Sequence, residues 1–415
     1  MELGEGDSLM GASNPVALNN FLHMSVAFGI VHGAVTVAIA YASSVFSLVL
    51  GSYSSAMLYS TYTLTALLFA APLVEKFGAR DMMVASIFLY FLYLVFFVVG
   101  YEVSDTTTRW FFVITGAFLG GAASGVGWVA QGVYFATSAE YYTKEKDYSK
   151  AEANQLFSSY FAAIYIGLQG FLYLFASLFL EFTSFSREDL FIIFTILTFV
   201  TFLGVFFYLQ QLNTKASGES SLEHTKQVVL MAFTDARALA LAPMALTFGF
   251  ISVFISTYVN DEVVKDYIGT YAVGYLGVIQ TATVSILSIP WNHFLGREGV
   301  LIVGTFAYSL VAGAFLAFSD EDMGSWDAVW AIYVLYGIGR ISWETTTKTI
   351  VADFYPFSRA EAFAYLNFVS GLASTCYSFM TSDLTGSTRF FISYPPALFS
   401  RSLLSRLSYF RLTFL

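Results

Sequence analysis

From Ser8 to Val74 the chain contains no Asp, Glu, Lys or Arg, and this run narrows the possible folds more than any other feature. A helix crossing a bilayer needs about 20 residues free of unpaired charge. The run therefore accommodates two crossings, with Gly51, Ser52, Tyr53, Ser54 and Ser55 as the turn between them. Further uncharged runs cover 82–101, 110–139, 153–180, 190–214, 238–260, 267–296, 300–319 and 362–382. With 328–351, which carries three charges, they predict eleven spans. Composition agrees, because only 12% of the residues are charged whereas a soluble domain has about a quarter. The fold class is all-α, integral and multi-pass, and the lipid bilayer is the first partner.

Placing the N-terminus in the cytoplasm puts ten basic residues on the cytoplasmic loops: Lys76, Arg80, Lys144, Lys146, Lys150, Lys215, Lys226, Arg237, Arg297 and Arg359. The opposite loops keep Arg109, Arg187 and Lys265. That is the positive-inside bias. Plasma membrane and endomembrane are equally compatible with it. The net charge of -10 and the lack of a basic block argue against nucleic acid as a partner. The start lacks the basic region of a cleaved signal, so the first span is read as its own insertion signal. The single cysteine, Cys376, excludes an intramolecular disulfide.

The polar stretch 211–240 divides the chain. Before it come a tail, 1–20, and a first six-span unit, 21–210; after it come five clear spans, 241–382, and an atypical tail, 383–415. An internal repeat supports the division. Tyr148-Ser149-Lys150-Ala151-Glu152-Ala153 precedes the fifth span, and Phe357-Ser358-Arg359-Ala360-Glu361-Ala362 precedes the eleventh. A weaker echo joins Pro72 and Gly78 to Pro290 and Gly296.

The loop after the second span reads Ala71-Pro72-Leu73-Val74-Glu75-Lys76-Phe77-Gly78-Ala79-Arg80. It resembles the loop signature Gly-x-x-x-Asp-Arg/Lys-x-Gly-x-Arg of the major facilitator superfamily, with Glu75 for the Asp and Ala71 for the first Gly. The resemblance implies two pseudo-symmetric six-helix bundles, with the twelfth span missing or degenerate here. It also implies a conformational latch formed by Glu75, Lys76, Gly78 and Arg80; the alternative is a short loop whose charges only set topology.

Two segments resemble the Unc-ninety-three-like family of that superfamily in particular. One runs from Gly116-Ala117-Phe118-Leu119-Gly120-Gly121 through Gly127-Trp128-Val129-Ala130-Gln131-Gly132-Val133-Tyr134. The other is Gly337-Ile338-Gly339-Arg340-Ile341-Ser342-Trp343-Glu344, with Lys348 and Ala352-Asp353-Phe354-Tyr355-Pro356 after it. The family has members described as regulatory subunits of potassium channels or trafficking partners of receptors, besides members of unknown transport role.

In the tenth span Arg340, Glu344 and Lys348 are four residues apart. They fall within an arc of about 80° and climb about 12 Å along one face. Each central charge costs about 2.5 to 3.5 kcal/mol to insert, so this face points into the bundle and Glu344 is expected to bond both cations. The face is read as a self-neutralising structural ladder, as a lining of the substrate pathway, or as both; Lys348 is expected nearest water. Asp353, on the opposite side, is read as capping or latching the cytoplasmic edge.

The matching fourth span sets Ser124, Trp128, Gln131 and Phe135 along one face, for binding a polar solute or for packing. Its Gly116, Gly120, Gly121 and Gly125 fit close helix packing. His32, in the first span, is either a proton relay or a neutral interhelical donor. Gln155, Gln169, Gln280 and Asn367 are read as interhelical bonds.

No metal cluster, phosphate loop or nucleophile elbow is present in the sequence, so neither an enzyme nor a cofactor is expected. Two functions compete: a secondary carrier for a small solute or ion, and a non-transporting regulatory or trafficking partner of an ion channel or receptor. After Asp383 no acid appears, and Arg389, Arg401, Arg406 and Arg411 interrupt a stretch broken by Pro395-Pro396. That tail is read as a truncated or mis-framed ending, or as an interfacial helix with snorkelling Arg side chains.

Overall fold

The computed structural model describes residues 16–46, 48–146, 148–182, 187–212, 221–269 and 271–382. Most of the N-terminal tail, the middle of the linker around Lys215 and Glu219, and everything from Asp383 onward lie outside the described residues. Among the described residues the regular structure is helical throughout.

The first half comprises α1 (Val16–Phe46), α2 (Leu48–Thr65, continuing through a π-turn at Ala66–Ala70 into Ala71–Phe77), α3 (Ala79–Glu102), α4 (Thr106–Glu145), α5 (Lys150–Phe182) and α6 (Arg187–Tyr208). Helix α1 thus reaches into the stretch read as tail. The linker holds a helix of its own, α7 (Ser221–Thr234). The second half comprises α8 (Ala236–Phe254, with a π-helical Ile255–Val264 and a final Lys265–Tyr267), α9 (Ala272–Ala317), α10 (Trp326–Ile341, π-helical Ser342–Thr347, then Lys348–Phe354) and α11 (Arg359–Ser382).

Eight helices among the described residues are long and apolar enough to cross a bilayer. The longest, α9, is interrupted at Gly296, where φ is +64° and ψ is -177°. Helices α10 and α11 fall outside that set, being rich in charged, Ser and Thr residues.

Local chemistry sets the helix ends. Asp105 accepts from Thr108 N at the start of α4, and Asp235 from Arg237 N and Ala238 N at the start of α8. Ser149 and Glu152 cap α5 reciprocally, Ser149 N donating to Glu152 and Glu152 N to Ser149 Oγ. Gly78 takes φ +86° between α2 and α3, and a Cβ there would also lie 2.2 Å from Gln211 Nε2. Gly78 and Gly296, paired in the sequence echo, therefore break helices in the same left-handed region. The glycine face of α4 packs closely as expected: a Cβ on Gly121 would sit 2.4 Å from Leu58 O of α2.

The halves meet along two seams, α2 against α11 and α5 against α9. Polar bonds cross both. Thr63 and Thr375 hydroxyls lie 3.0 Å apart, and Gln155 Nε2 donates to Asn292 O at 2.5 Å. A gap remains between the seams, walled by α1, α2, α4 and α5 on one side and α8, α9, α10 and α11 on the other.

Candidate functional site

Helix α10 supplies the charge in this gap. Its segment Ser342-Trp343-Glu344-Thr345-Thr346-Thr347 is buried and π-helical; three consecutive Thr crowd an α-helical turn through their branched Cβ atoms, and such widened turns occur often at functional sites. Glu344 is only 1% exposed, Arg340 and Lys348 7% each. Arg340 Nε donates to Glu344 Oε1 at 3.3 Å and Lys348 Nζ to Glu344 Oε2 at 2.9 Å.

The other half completes the shell. Arg340 Nη2 donates to Tyr165 Oη at 2.8 Å and to Gln169 Oε1 at 3.1 Å. Lys348 Nζ lies 4.5 Å from the ring centroids of both Trp128 and Phe161. Lys348 is therefore no nearer water than Arg340; two rings of the first half cover it.

All of these groups except Phe161 line a cavity of about 220 Å³. On α1 it is lined from His32 to Ala40 and on α8 from Phe248 to Asn260, the portions of both helices remote from α7. His32 sits edge-on to Trp128 at 5.0 Å and stacks on Phe28 at 5.9 Å. Its Nδ1 is buried without a partner among the described residues. Trp128, Ser124, Gln169, Gln280 and Asn367 also face the cavity. Gln131 does not line it. That side chain is fully buried, with neither amide atom partnered among the described residues. Phe135 likewise packs away, against Phe21.

The end carrying the expected cytoplasmic loops is closed by polar contacts. Asp353 Oδ2 meets Arg297 Nη2 at 2.6 Å, and Asn154 Nδ2, from the other half, donates to Asp353 Oδ1 at 2.6 Å. Arg359 Nη2 of α11 donates to Glu140 Oε2 of α4 at 2.7 Å. Helix α7 joins this closure through His224 Nδ1, 2.5 Å from Glu361 Oε1, with both side chains buried. Beside it, burial alone would raise the Asp235 carboxyl, but the hydrogen bonds and charge of Arg237 outweigh it and hold the group below the usual carboxylate range.

The latch expected on the α2–α3 loop is built differently. Arg80 donates to Leu209 O at 3.1 Å, to Phe206 O and to Asp81 Oδ1 at 2.7 Å. All three belong to the first half. Lys76 lies 5.1 Å from the Phe77 ring. Arg80 thus ties α3 to the end of α6, while Asp353, Asn154, Glu140 and Arg359 tie half to half.

A sequence profile of the Major Facilitator Superfamily matches residues 10–379. The chain belongs to the major facilitator superfamily. Among solved structures it is similar to the major facilitator superfamily proton:xylose symporter XylE bound to 6-bromo-6-deoxy-D-glucose, with a TM-score of 0.62 and 14% identity. The match covers 96% of this chain and 95% of that one. At that identity the likeness is one of fold. No curated protein matches the chain.

Within this major facilitator several site residues were not singled out from sequence. Tyr165, which solvates Arg340, is one of 27 tyrosines, and no local pattern marks it. Glu140 did carry a signal: Ala139-Glu140-Tyr141-Tyr142 echoes Ala352-Asp353-Phe354-Tyr355, which aligns Glu140 with Asp353. The His224–Glu361 pair joins the linker to the second copy of the repeat, where the Glu that caps α5 in the first copy has been redirected to a histidine.

Proposed function

We propose that this major facilitator is a secondary carrier of the Unc-ninety-three-like branch, moving a small solute or ion by rocking its halves about the central cavity. In this reading the N-terminus is cytoplasmic, eleven spans cross the bilayer, and the conformation described is sealed on the cytoplasmic side. One observation carries the proposal. The charged groups of α10 are satisfied jointly by α10 and by the opposing half, through Tyr165, Gln169, Trp128 and Phe161. Such a joint lies at the repeat interface, where alternating access needs a site. The cross-half bonds at Asp353 and Glu140 are its cytoplasmic gate.

The test uses a Cys376→Ser background with single cysteines at Thr36, on the cavity wall, and at Ser158, buried toward the sealed end. A carrier in vesicles exposes the two alternately to an impermeant maleimide and shows solute counterflow. Unchanging labelling of both, no flux, and a stoichiometric channel or receptor subunit after purification would instead establish the non-transporting role.

A further inference from the structure

Among the residues lining the cavity, two cations face one carboxylate: Arg340 and Lys348 against Glu344. The lining carries a net charge of +1 by that count. The other acids near it on α8, Asp261 and Glu262, lie beyond Asn260 and off the lining, and Asp261 is paired with Lys265. Lys348 is fully engaged, by Glu344 and by two rings. The surplus therefore resides on Arg340. Its Nε and Nη2 are bonded, whereas Nη1 has no partner among the described residues, and the side chain is 8% exposed.

Two further groups on the lining are unpartnered among the described residues, an amide donor and an imidazole nitrogen whose role depends on the tautomer. Gln280 Nε2, a donor, is buried on the lining without a partner, and His32 Nδ1 is unpartnered on the opposite wall. A buried guanidinium with one nitrogen unbonded favours a ligand that brings a negatively charged acceptor to that nitrogen. Around it the wall is aromatic: Trp128, Tyr165, and the stacked pair Phe248 and Trp343 at 4.4 Å. A cavity lined this way discriminates by charge at one point and by flat apolar surface elsewhere.

We infer that the cavity takes a monoanionic solute, a carboxylate with a planar apolar body, whose carboxylate docks on Arg340 Nη1 within reach of Gln280. This deepens the carrier reading and rests on it for treating the cavity as a solute site. A neutral sugar-like solute would leave the positive surplus uncompensated, and a cation would add to it.

The experiment measures binding on the purified full chain in nanodiscs, by tryptophan quenching and thermal shift, with three probes of one shape: benzoate, benzamide and benzylammonium. Benzoate should bind at least tenfold more tightly than either analogue, and Arg340→Gln should abolish that preference while keeping the neutral Glu344–Lys348 pair. The probe series on the unsubstituted protein decides the matter even if that variant fails to fold. Equal binding of benzamide, tighter binding of benzylammonium, or binding of none of the three overturns the inference. Counterflow and alternating labelling are scored separately. Selective benzoate binding without flux supports the anion site and removes the carrier; flux of a neutral solute without benzoate preference removes the anion site and keeps the carrier.

Discussion

Helices α4 and α10 hold corresponding places in the two halves, and they are built in opposite ways. Helix α4 runs unbroken from Thr106 to Glu145 with no charge between Arg109 and Glu140. It shows the cavity a hydroxyl and an indole, Ser124 and Trp128. Helix α10 widens into a π-turn that carries Glu344, with Arg340 and Lys348 on either side of it. One half supplies charge and the other makes it tolerable. Each central charge costs about 2.5 to 3.5 kcal/mol when unsatisfied, so the halves are coupled by the stability of α10 itself. Moving Trp128 and Tyr165 away must be compensated by water, by solute, or by rearrangement of Glu344.

The sharpest break in this comparison is Glu344→Ala. It leaves two buried cations without a counter-charge, a loss of about 3 to 5 kcal/mol. Lys348→Ala leaves the neutral Arg340–Glu344 pair and should cost less, within the ordinary range of about 0.5 to 3 kcal/mol. Melting in detergent orders the two, and equal midpoints would mean that Glu344 does not balance both cations. Next in size is the contribution of the opposing half. Trp128→Leu and Lys348→Met, combined in a double-mutant cycle, should show a coupling of about 2 kcal/mol, the value for a desolvated cation over an indole face. Strict additivity would show that the indole merely fills space.

Much of this wall was legible in the sequence and much was not. The charge-free runs gave the helices because backbone groups in lipid must bond within their own segment. Helical spacing put Arg340, Glu344 and Lys348 together because partners four apart share a face. Angular position alone does not place Gln131 on the lining. It lies only about 20° round the helix from Ser124, but the lining of α4 ends at Trp128, and Gln131 and Phe135 come after it along the helix. The partners of Arg340 were hidden because Tyr165 and Gln169 lie more than 170 positions away in sequence, each common in its type. The partners of Arg80 were hidden for a related reason: a motif names its residues but not their partners, and Arg80 found backbone carbonyls at the end of α6.

At the sealed end the comparison becomes one of access. Asp353→Asn keeps the size of the side chain but removes the charge that Arg297 meets and weakens the bond from Asn154. Hydrogen bonds to charged groups contribute about 1.5 to 3 kcal/mol. The share of molecules open at this end should therefore rise by about tenfold or more, each factor of ten being about 1.4 kcal/mol. Maleimide labelling of Ser158→Cys reads that share directly; an unchanged rate would place the gate elsewhere.

The smallest effect is expected at Arg80. Its bonds reach the last carbonyls of α6, where a cation meets the negative end of the helix dipole, an interaction of about 0.3 to 1 kcal/mol. Because Phe206, Leu209 and Asp81 belong to the same half as Arg80, its loss changes the two access states equally. Arg80→Ala should thus lower the melting midpoint slightly and leave the labelling of Ser158→Cys and Thr36→Cys where it was. Asp353→Asn should do the reverse, with a clear shift in labelling for a modest loss of stability. Should Arg80→Ala move the labelling as far as Asp353→Asn does, the loop motif would act across the halves in a conformation other than this one, and the division between bonds within a half and bonds between halves would have to be redrawn.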